Sequence, residues 1–184
     1  MRNLTEEELH AVFEKLAKFI GKDIQTLVQG PLEDCCFRLQ KDRVFYVREA
    51  IAAAATSIAR DNLASLGLCV GKFTHSGRFQ VHITFLPYLA PFAKYKVWLK
   101  PQSEMSFLYG NHVLKSGVAT LTQDTPKNQP VVVFNQSEIP LGFGVTARSS
   151  LEVQQANSTD LIVLNQADIG SYLRDEDHFV GCAL

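Results

Sequence analysis

Apolar residues mark the first readable element of the chain. Leu9, Val12, Phe13, Leu16, Phe19 and Ile20 recur at three- and four-residue intervals, which gathers them onto one face of an α-helix. Thr5 and Glu8 have the spacing of a capping box and Gly21 supplies a stop, so a helix is predicted between them. After an ambiguous stretch over 24–28, short strands are predicted over 36–39 and 44–47, joined as a hairpin at the polar Gln40-Lys41-Asp42-Arg43 turn. An alanine-rich helix over 49–60 follows, then a strand over 68–74, a His75-Ser76-Gly77 turn and a strand over 78–85. In that last strand Phe79, Val81, Ile83 and Phe85 alternate with Arg78, Gln80, His82 and Thr84, which places His82 on the polar, solvent-facing side.

Pro87 and Pro91 disfavour both helix and sheet ladder, so the junction between two regions is expected over 88–93. Beyond it, strands are predicted over 96–99, 117–121, 131–134, 141–147 and 161–164, separated by Gly, Pro, Asn and Ser, with one helix over 103–108. That spacing suggests a small barrel. The expected fold is α+β: an N-terminal alpha/beta domain over 1–93, the barrel over 94–174 and a tail over 175–184. No internal repeat or low-complexity segment interrupts it.

Composition narrows the classes. With 46% hydrophobic residues in 184, the chain can bury a core, and a net charge of −1 fits neither a disordered acidic tail nor a histone-like protein. The charge is uneven, however: residues 1–34 carry −3, residues 35–118 carry +7 and residues 119–184 carry −5. A basic middle between acidic ends suits a localised phosphate-binding face, or a solvated face without function. Met1 to Glu8 holds three acids in place of an export signal's apolar core, so the chain is expected to stay inside the cell. The apolar run over 50–59 is mostly alanine and too short for a bilayer, and no membrane role is expected. Cys35, Cys36, Cys69 and Cys182 are expected as reduced thiols; the sequons at Asn3, Asn135 and Asn157 have no meaning in that compartment; and Cys182, third from the end, is misplaced for prenylation.

Four kinds of catalytic site are not expected. Gly142-Phe143-Gly144-Val145-Thr146-Ala147 fits the dinucleotide fingerprint by letter, but Ser137-Glu138-Ile139-Pro140 before it is no buried strand, so these glycines are read as a tightly packed barrel strand. No Cys-x-x-Cys, His-x-His or His-Glu-x-x-His spacing offers converging metal ligands, no signature selects a Cys–His pair, and no phosphate-binding loop is present. Aromatic residues interleaved with bases carry more. Lys94-Tyr95-Lys96-Val97-Trp98-Leu99-Lys100 is followed by Phe107-Leu108-Tyr109-Gly110-Asn111-His112-Val113-Leu114-Lys115-Ser116-Gly117. Trp98, Phe107 and Leu108 are expected in the core, whereas the lysines and the Asn111-His112 turn must be outside it, suited to phosphates and unpaired bases.

These residues carry a resemblance. Lys115-Ser116-Gly117-Val118, the Pro140-Leu141-Gly142-Phe143-Gly144-Val145-Thr146-Ala147 run and the strand over 161–164 resemble a PUA domain, the small RNA-binding pseudobarrel of pseudouridine synthases, archaeosine transglycosylases and related RNA factors. The run from Tyr88-Leu89-Ala90-Pro91 to Ser116-Gly117, with Leu4-Thr5-Glu6-Glu7-Glu8, Cys36-Phe37-Arg38-Leu39, Asp42-Arg43-Val44 and Ala167-Asp168-Ile169-Gly170, is similar to the Nip-seven family of large-subunit ribosome-biogenesis factors. The likeness covers residues 1–174 and departs from the family at 29–34, 50–55 and the tail. It implies a pre-PUA domain followed by a PUA domain, nucleolar residence, and support of pre-rRNA processing on precursors of the large (60S) subunit without cleaving or modifying RNA.

On this reading the protein is a non-catalytic RNA-binding adaptor, a monomer without metal or cofactor, whose partners are precursor rRNA and pre-60S assembly proteins. Lys94, Lys96, Lys100, Asn111, His112, Lys115 and Arg148 are the candidate RNA-binding residues, and Arg38, Lys41, Arg43, Lys72 and Arg78 a possible basic extension onto the N-terminal domain. Two alternatives remain: a protein-interaction scaffold with incidental RNA binding, and an RNA-modifying enzyme, since PUA domains are fused to synthases. The second is weakened by the lack of any cofactor motif in the roughly 90 residues before the junction.

Overall fold

A computed structural model of the protein describes residues 1–21, 35–59, 62–63 and 66–175. The sequence expectations at 24–28 and 29–34 and the tail beyond Asp175 lie outside the described residues. Contacts divide the chain into two compact units, one holding residues 1–17 and 21–85, the other residues 18–20 and 86–175.

The first unit is built on a five-stranded antiparallel sheet in chain order, β1 (Arg2–Asn3), β2 (Cys35–Gln40), β3 (Arg43–Arg48), β4 (Leu68–Phe73) and β5 (Phe79–Val81). Helix α1 (Glu6–Ile20) starts at a complete capping box: the Glu8 N–H donates to Thr5 Oγ1, and Glu8 Oε2 accepts from the Thr5 N–H at 2.9 Å. Gly21, at φ 64°, ends it. Val12 and Leu16 are fully buried, and Phe13 meets Phe37 of β2 edge to face at 5.6 Å. The β2–β3 hairpin turns on Lys41, which holds φ 55°.

Two elements are shorter than their sequence pattern. The alanine-rich helix runs only over α2 (Glu49–Ala54), then tightens into a 3-10 turn (Ala55–Ser57) and leaves helical geometry at Ile58. Thr56 and Ser57 donate their hydroxyls back to the carbonyls of Ala53 and Ala54, and α2 has no buried residue to hold a longer helix against the sheet. The strand predicted over 78–85 stops at Val81. Ile83, Thr84 and Phe85 are all buried, which an alternating strand cannot give, and they form a 3-10 turn anchored by Thr84 Oγ1 donating to Cys69 O at 2.5 Å. His82 is accordingly not a surface histidine: it is half-buried, with Nδ1 2.9 Å from Thr84 Oγ1.

The second unit opens with the helical turn α3 (Leu86–Leu89), where Leu86 and Leu89 are buried. Its six-stranded sheet uses β6 (Lys96–Leu99), β7 (Val113–Leu114), β8 (Val118–Leu121), β9 (Pro130–Phe134), β10 (Pro140–Thr146) and β11 (Leu161–Asp168), in the order β7-β11-β10-β9-β6-β8. Only the β6–β9 pair is parallel. The two edge strands, β7 and β8, are separated in the chain by the three residues of a 3-10 turn (Lys115–Gly117), so the sheet must curl until its edges nearly meet. The expected barrel follows from this. Val97, Leu99, Phe107, Val131, Val133, Leu141, Ile162 and Val163 fill its inside. Gly142 and Gly144 sit in β10, where an added Cβ would fall on the carbonyl oxygens of Ala167 and Leu164, so the packed-strand reading of the glycine run holds. Helices α4 (Pro101–Leu108), α5 (Ser150–Gln154) and α6 (Ser171–Arg174) complete the unit; α5 has a full capping box from Ser149 and Glu152.

Candidate nucleic-acid interface

Two backbone hydrogen bonds and one ion pair bring three of the candidate cations to one end of the barrel. Lys100 directly follows β6, and its N–H donates to Gly117 O at 2.9 Å. Lys115 opens the turn between the edge strands, and its N–H donates to Asp160 O at 2.8 Å. The Asp160 carboxylate in turn meets the Arg148 guanidinium at 3.1 Å and accepts from the Asn157 N–H at 2.9 Å. Residues far apart in sequence thus converge, and Lys100 is exposed. Glu152 stands nearby, its carboxyl held below the usual range by the Ser149 N–H and hydroxyl, with Lys127 and Arg148 adding to the effect. Lys127 is a further cation that sequence reading missed, isolated as it is between Pro126 and Asn128. Beside this end, β8 and α5 border a groove of about 330 Å³ lined by Lys115, Val118, Leu121, Asp124, Leu151 and Gln154.

Asn111 and His112 lie at the other end of β7 from Lys115, because His112 precedes that two-residue strand. The Asn165 N–H donates to His112 Nδ1 at 3.2 Å. Asn165 Nδ2 donates to Phe107 O at 3.1 Å and to Asp168 Oδ2 at 3.1 Å. Asp168, 2% exposed, also accepts from Arg174 Nη2 at 2.9 and 3.0 Å, and Arg174 Nη1 donates to Leu108 O. The turn presenting Asn111 and His112 is therefore tied to the end of β11 and to α6 through the ion pair of a buried Asp168 with a partly exposed Arg174. Gly170 permits it, since a Cβ there would fall on Leu108 O.

Lys94 and Lys96 occupy a third place. In β6, Val97 and Leu99 point inward, so Lys96 and Trp98 alternate to the outer face. Trp98 is half-buried there and is not core, in contrast to the fully enclosed Phe107. Its indole stacks on Phe134 at 6.1 Å with 26° between the planes, and Nε1 donates to Glu138 Oε1 at 2.8 Å. Lys96 Nζ lies 5.3 Å from the Phe134 ring centre and Lys94 Nζ 4.8 Å from that of Tyr95. The polar end of the indole needs a partner, which a barrel interior of apolar side chains cannot supply.

In the first unit, register places Arg38, Arg43 and Lys72 on one sheet face: Arg38 pairs with Phe45, Gln40 with Arg43, and Arg43 with Lys72. Lys41 is exposed in the hairpin turn, where Asp42 O accepts from the Phe73 N–H at 2.8 Å. Arg78 is exposed immediately before β5. Cys35 and Cys36 are half-buried free thiols and Cys69 a buried one; burial raises the Cys36 thiol above its ordinary value. Among the described residues no His, Cys, Asp or Glu group is arranged to hold a metal, and no helix is long and apolar enough to cross a membrane.

Comparison with known proteins adds to this geometry. Residues 1–83 match the NIP7/UPF0113 pre-PUA domain and residues 95–177 the UPF0113 PUA domain. The 60S ribosome subunit biogenesis protein nip7 of Schizosaccharomyces pombe is 55% identical over 177 residues, covering 96% of this chain and 98% of that protein. NIP7 of Saccharomyces cerevisiae, which carries the same description, is also 55% identical with the same coverage. Among solved structures, a PUA-domain protein from Aeropyrum pernix superposes with a TM-score of 0.64 at 14% identity, covering 98% of this chain and 91% of that one. A conserved PUA-domain protein from Thermoplasma acidophilum gives 0.61 at 14% identity, covering 95% and 97%. At that identity the two structures speak to the fold.

Proposed function

Since the chain belongs to the NIP7/UPF0113 family, we propose that it is a non-catalytic RNA-binding adaptor in pre-rRNA processing and assembly of the large (60S) ribosomal subunit. Its partners are precursor rRNA and pre-60S assembly proteins, it acts as a monomer in the nucleolus, and it uses no metal or cofactor. The relatives' description as 60S ribosome subunit biogenesis proteins supports the process. The observation that carries RNA binding is the gathering of Lys100, Lys115 and Arg148 at one barrel end, through main-chain bonds of the two lysines to Gly117 and Asp160 and the ion pair of Arg148 with Asp160. Such a cluster meets phosphates along an irregular or single strand, while the Asn111-His112 turn offers donors to base edges.

The test is crosslinking of the full chain to RNA in cells, with sequencing of the attached fragments and a Lys100→Ala/Lys115→Ala/Arg148→Ala control. Discrete crosslinks in large-subunit precursor rRNA that disappear in the triple variant are expected. Absent crosslinks, with the protein still sedimenting with pre-ribosomal particles, would instead favour a scaffold docked on proteins. That second reading has its own support in Met105, Tyr109 and Leu173, which are 58%, 68% and 88% exposed on α4, its C-terminal turn and α6.

A further inference from the structure

The sheet of the first unit separates its charges. Phe13 meets Phe37, so α1, with Glu6, Glu7, Glu8 and Glu14, covers the face on which Phe37, Leu39 and Val44 stand. Arg43, Lys72 and Gln80 stand in register on the opposite face, one on each of β3, β4 and β5. They sit where the two hairpin turns come together. Arg43 begins β3, Lys72 lies one residue from the end of β4, and the Phe73 N–H donates to Asp42 O at 2.8 Å, joining one turn to the other. The turn from Thr74 to Arg78 closes beside them, with the Thr74 N–H donating to Arg78 O at 2.9 Å and the Arg78 N–H to Thr74 Oγ1 at 3.2 Å. Lys41 and Arg78 add two exposed cations, and over 40–43 and 72–80 Asp42 is the only acid. Arg43 and Lys72 thus face each other directly across neighbouring strands, an arrangement unfavourable for like charges that a neutral polar pair would avoid. Among the described residues, Lys41, Lys72 and Arg78 have no ion-pair partner to offset it. The fold alone does not require this repulsion.

Resting on the RNA-binding reading above, we propose that this end of the sheet is a second RNA contact, at which Lys41, Arg43, Lys72 and Arg78 bind backbone phosphates. A protein partner would need apolar anchors, and among the described residues this end exposes none: Phe79 is 6% exposed and Phe73 is half-buried against it, 5.3 Å between ring centres. The four cationic side chains only donate hydrogen bonds, and no aromatic face is open beside them. The site therefore follows the backbone and reads no base. Arg38, on the same face, lines a separate hollow with Met1, Asn3 and Glu49 and takes no part in it.

The salt dependence of binding of the full chain to a labelled single-stranded RNA of mixed sequence, read by anisotropy, tests the proposal. Arg43→Gln/Lys72→Gln should lower the salt slope by about 1.4, at roughly 0.7 per phosphate contact; its loss of affinity between about 50 and 200 mM salt should then be about sevenfold smaller than that of the unaltered chain. Arg48→Gln/Lys15→Gln removes as much charge from other parts of the unit and should leave the slope unchanged. Lys72→Glu turns the cross-strand pair attractive, so it should raise the thermal midpoint while binding RNA more weakly than Lys72→Gln, a combination that misfolding cannot produce. A lowered thermal midpoint for Lys72→Glu would show that the lysine serves the fold, against the proposal. A slope that is unchanged in Arg43→Gln/Lys72→Gln but falls in Lys100→Ala/Lys115→Ala would overturn the second contact and leave RNA binding at the barrel end intact. Binding of poly-glutamate that is lost in Arg43→Gln/Lys72→Gln, with the RNA slope unchanged, would assign this end to an acidic protein segment instead. No binding of the RNA at low salt would overturn both readings.

Discussion

Arg174→Ala should destabilise the second unit well beyond the usual effect of losing a surface arginine. Asp168 is 2% exposed and receives two hydrogen bonds from the Arg174 guanidinium and one from the Asn165 amide. Removing the arginine leaves a buried carboxylate with one neutral donor, a situation that costs about 3–5 kcal/mol when the site stays dry. The Arg174 side chain is itself 34% exposed, so water can enter where the guanidinium stood and the expected cost is nearer ~2–3 kcal/mol. Urea unfolding followed by Trp98 emission reads this unit alone. For a slope of roughly 1–2 kcal/mol per molar, the midpoint should fall by about 1–3 M. Arg174→Met combined with Asp168→Asn removes both charges together, so the double variant should be more stable than Arg174→Ala alone. A midpoint shift below ~0.3 M for Arg174→Ala, or simple addition of the two single effects, would refute the argument that a buried charge is at stake.

Further outcomes follow from the same geometry. The Arg2 guanidinium, and next the Thr5 N–H, hold the Glu8 carboxyl at about 2, below its ordinary 4.5; a lowered pKa contributes stability above pH 4.5 that is lost as the pH falls toward 2. Acid titration of the helical circular dichroism signal should show that loss, and Glu8→Gln should flatten it. Thr5→Ala removes the hydroxyl that accepts from the Glu8 N–H and should cost about 1 kcal/mol in first-unit stability, measured by thermal unfolding. Gly142→Ala has no space for its Cβ against Ala167 O and Asp168 and should lower the Trp98-reported urea midpoint by more than ~1 M, whereas Gly77→Ala, with open space around it, should pay only for its positive φ. Lys100→Ala/Lys115→Ala should reduce the salt slope of RNA affinity by about 1.4, at roughly 0.7 per phosphate contact on a single strand; an unchanged slope would show that these lysines touch no phosphate.

How far the sequence could be read depended on whether its signals were local. The capping box at Thr5 and Glu8 and the three-four spacing of Val12, Leu16 and their neighbours are complete within one helix, and both are found. Ser149-Ser150-Leu151-Glu152 carries the same signature for α5, and there the cue was present but the helix was not drawn from it. Other outcomes were not local. Nothing near Thr84 announces that its hydroxyl will bond a carbonyl fifteen residues earlier, so alternation extended the strand too far. Trp98 looked like core because aromatic residues usually are; its actual place depends on Glu138, forty residues away. The Asp168–Arg174 pair is local in sequence, but its importance comes from Leu108, sixty-six residues before Arg174. The similarity of Ala167-Asp168-Ile169-Gly170 to the family has a physical basis here, since Asp168 is the buried acceptor and Gly170 admits Leu108 O.

The same distinction explains why the barrel suits an adaptor. Three of the proposed RNA contacts are tied to neighbouring strands through main-chain groups: the Lys100 N–H donates to Gly117 O, the Lys115 N–H to Asp160 O, and the Asn165 N–H to His112 Nδ1. Gly117 packs so closely on Ser103 that a Cβ would lie 2.8 Å from the serine Cβ, which fixes the turn between the edge strands onto α4. Main-chain anchors of this kind fix where each side chain leaves the barrel, so the proposed RNA face would lose little backbone freedom on binding. Flexible lysines on a disordered arm would spend more of the same Coulomb attraction on ordering. On the proposed reading, the pairing of Arg148 with Asp160 and the nearness of Glu152 temper the local charge, which would favour a defined segment over indiscriminate attachment to any phosphate chain.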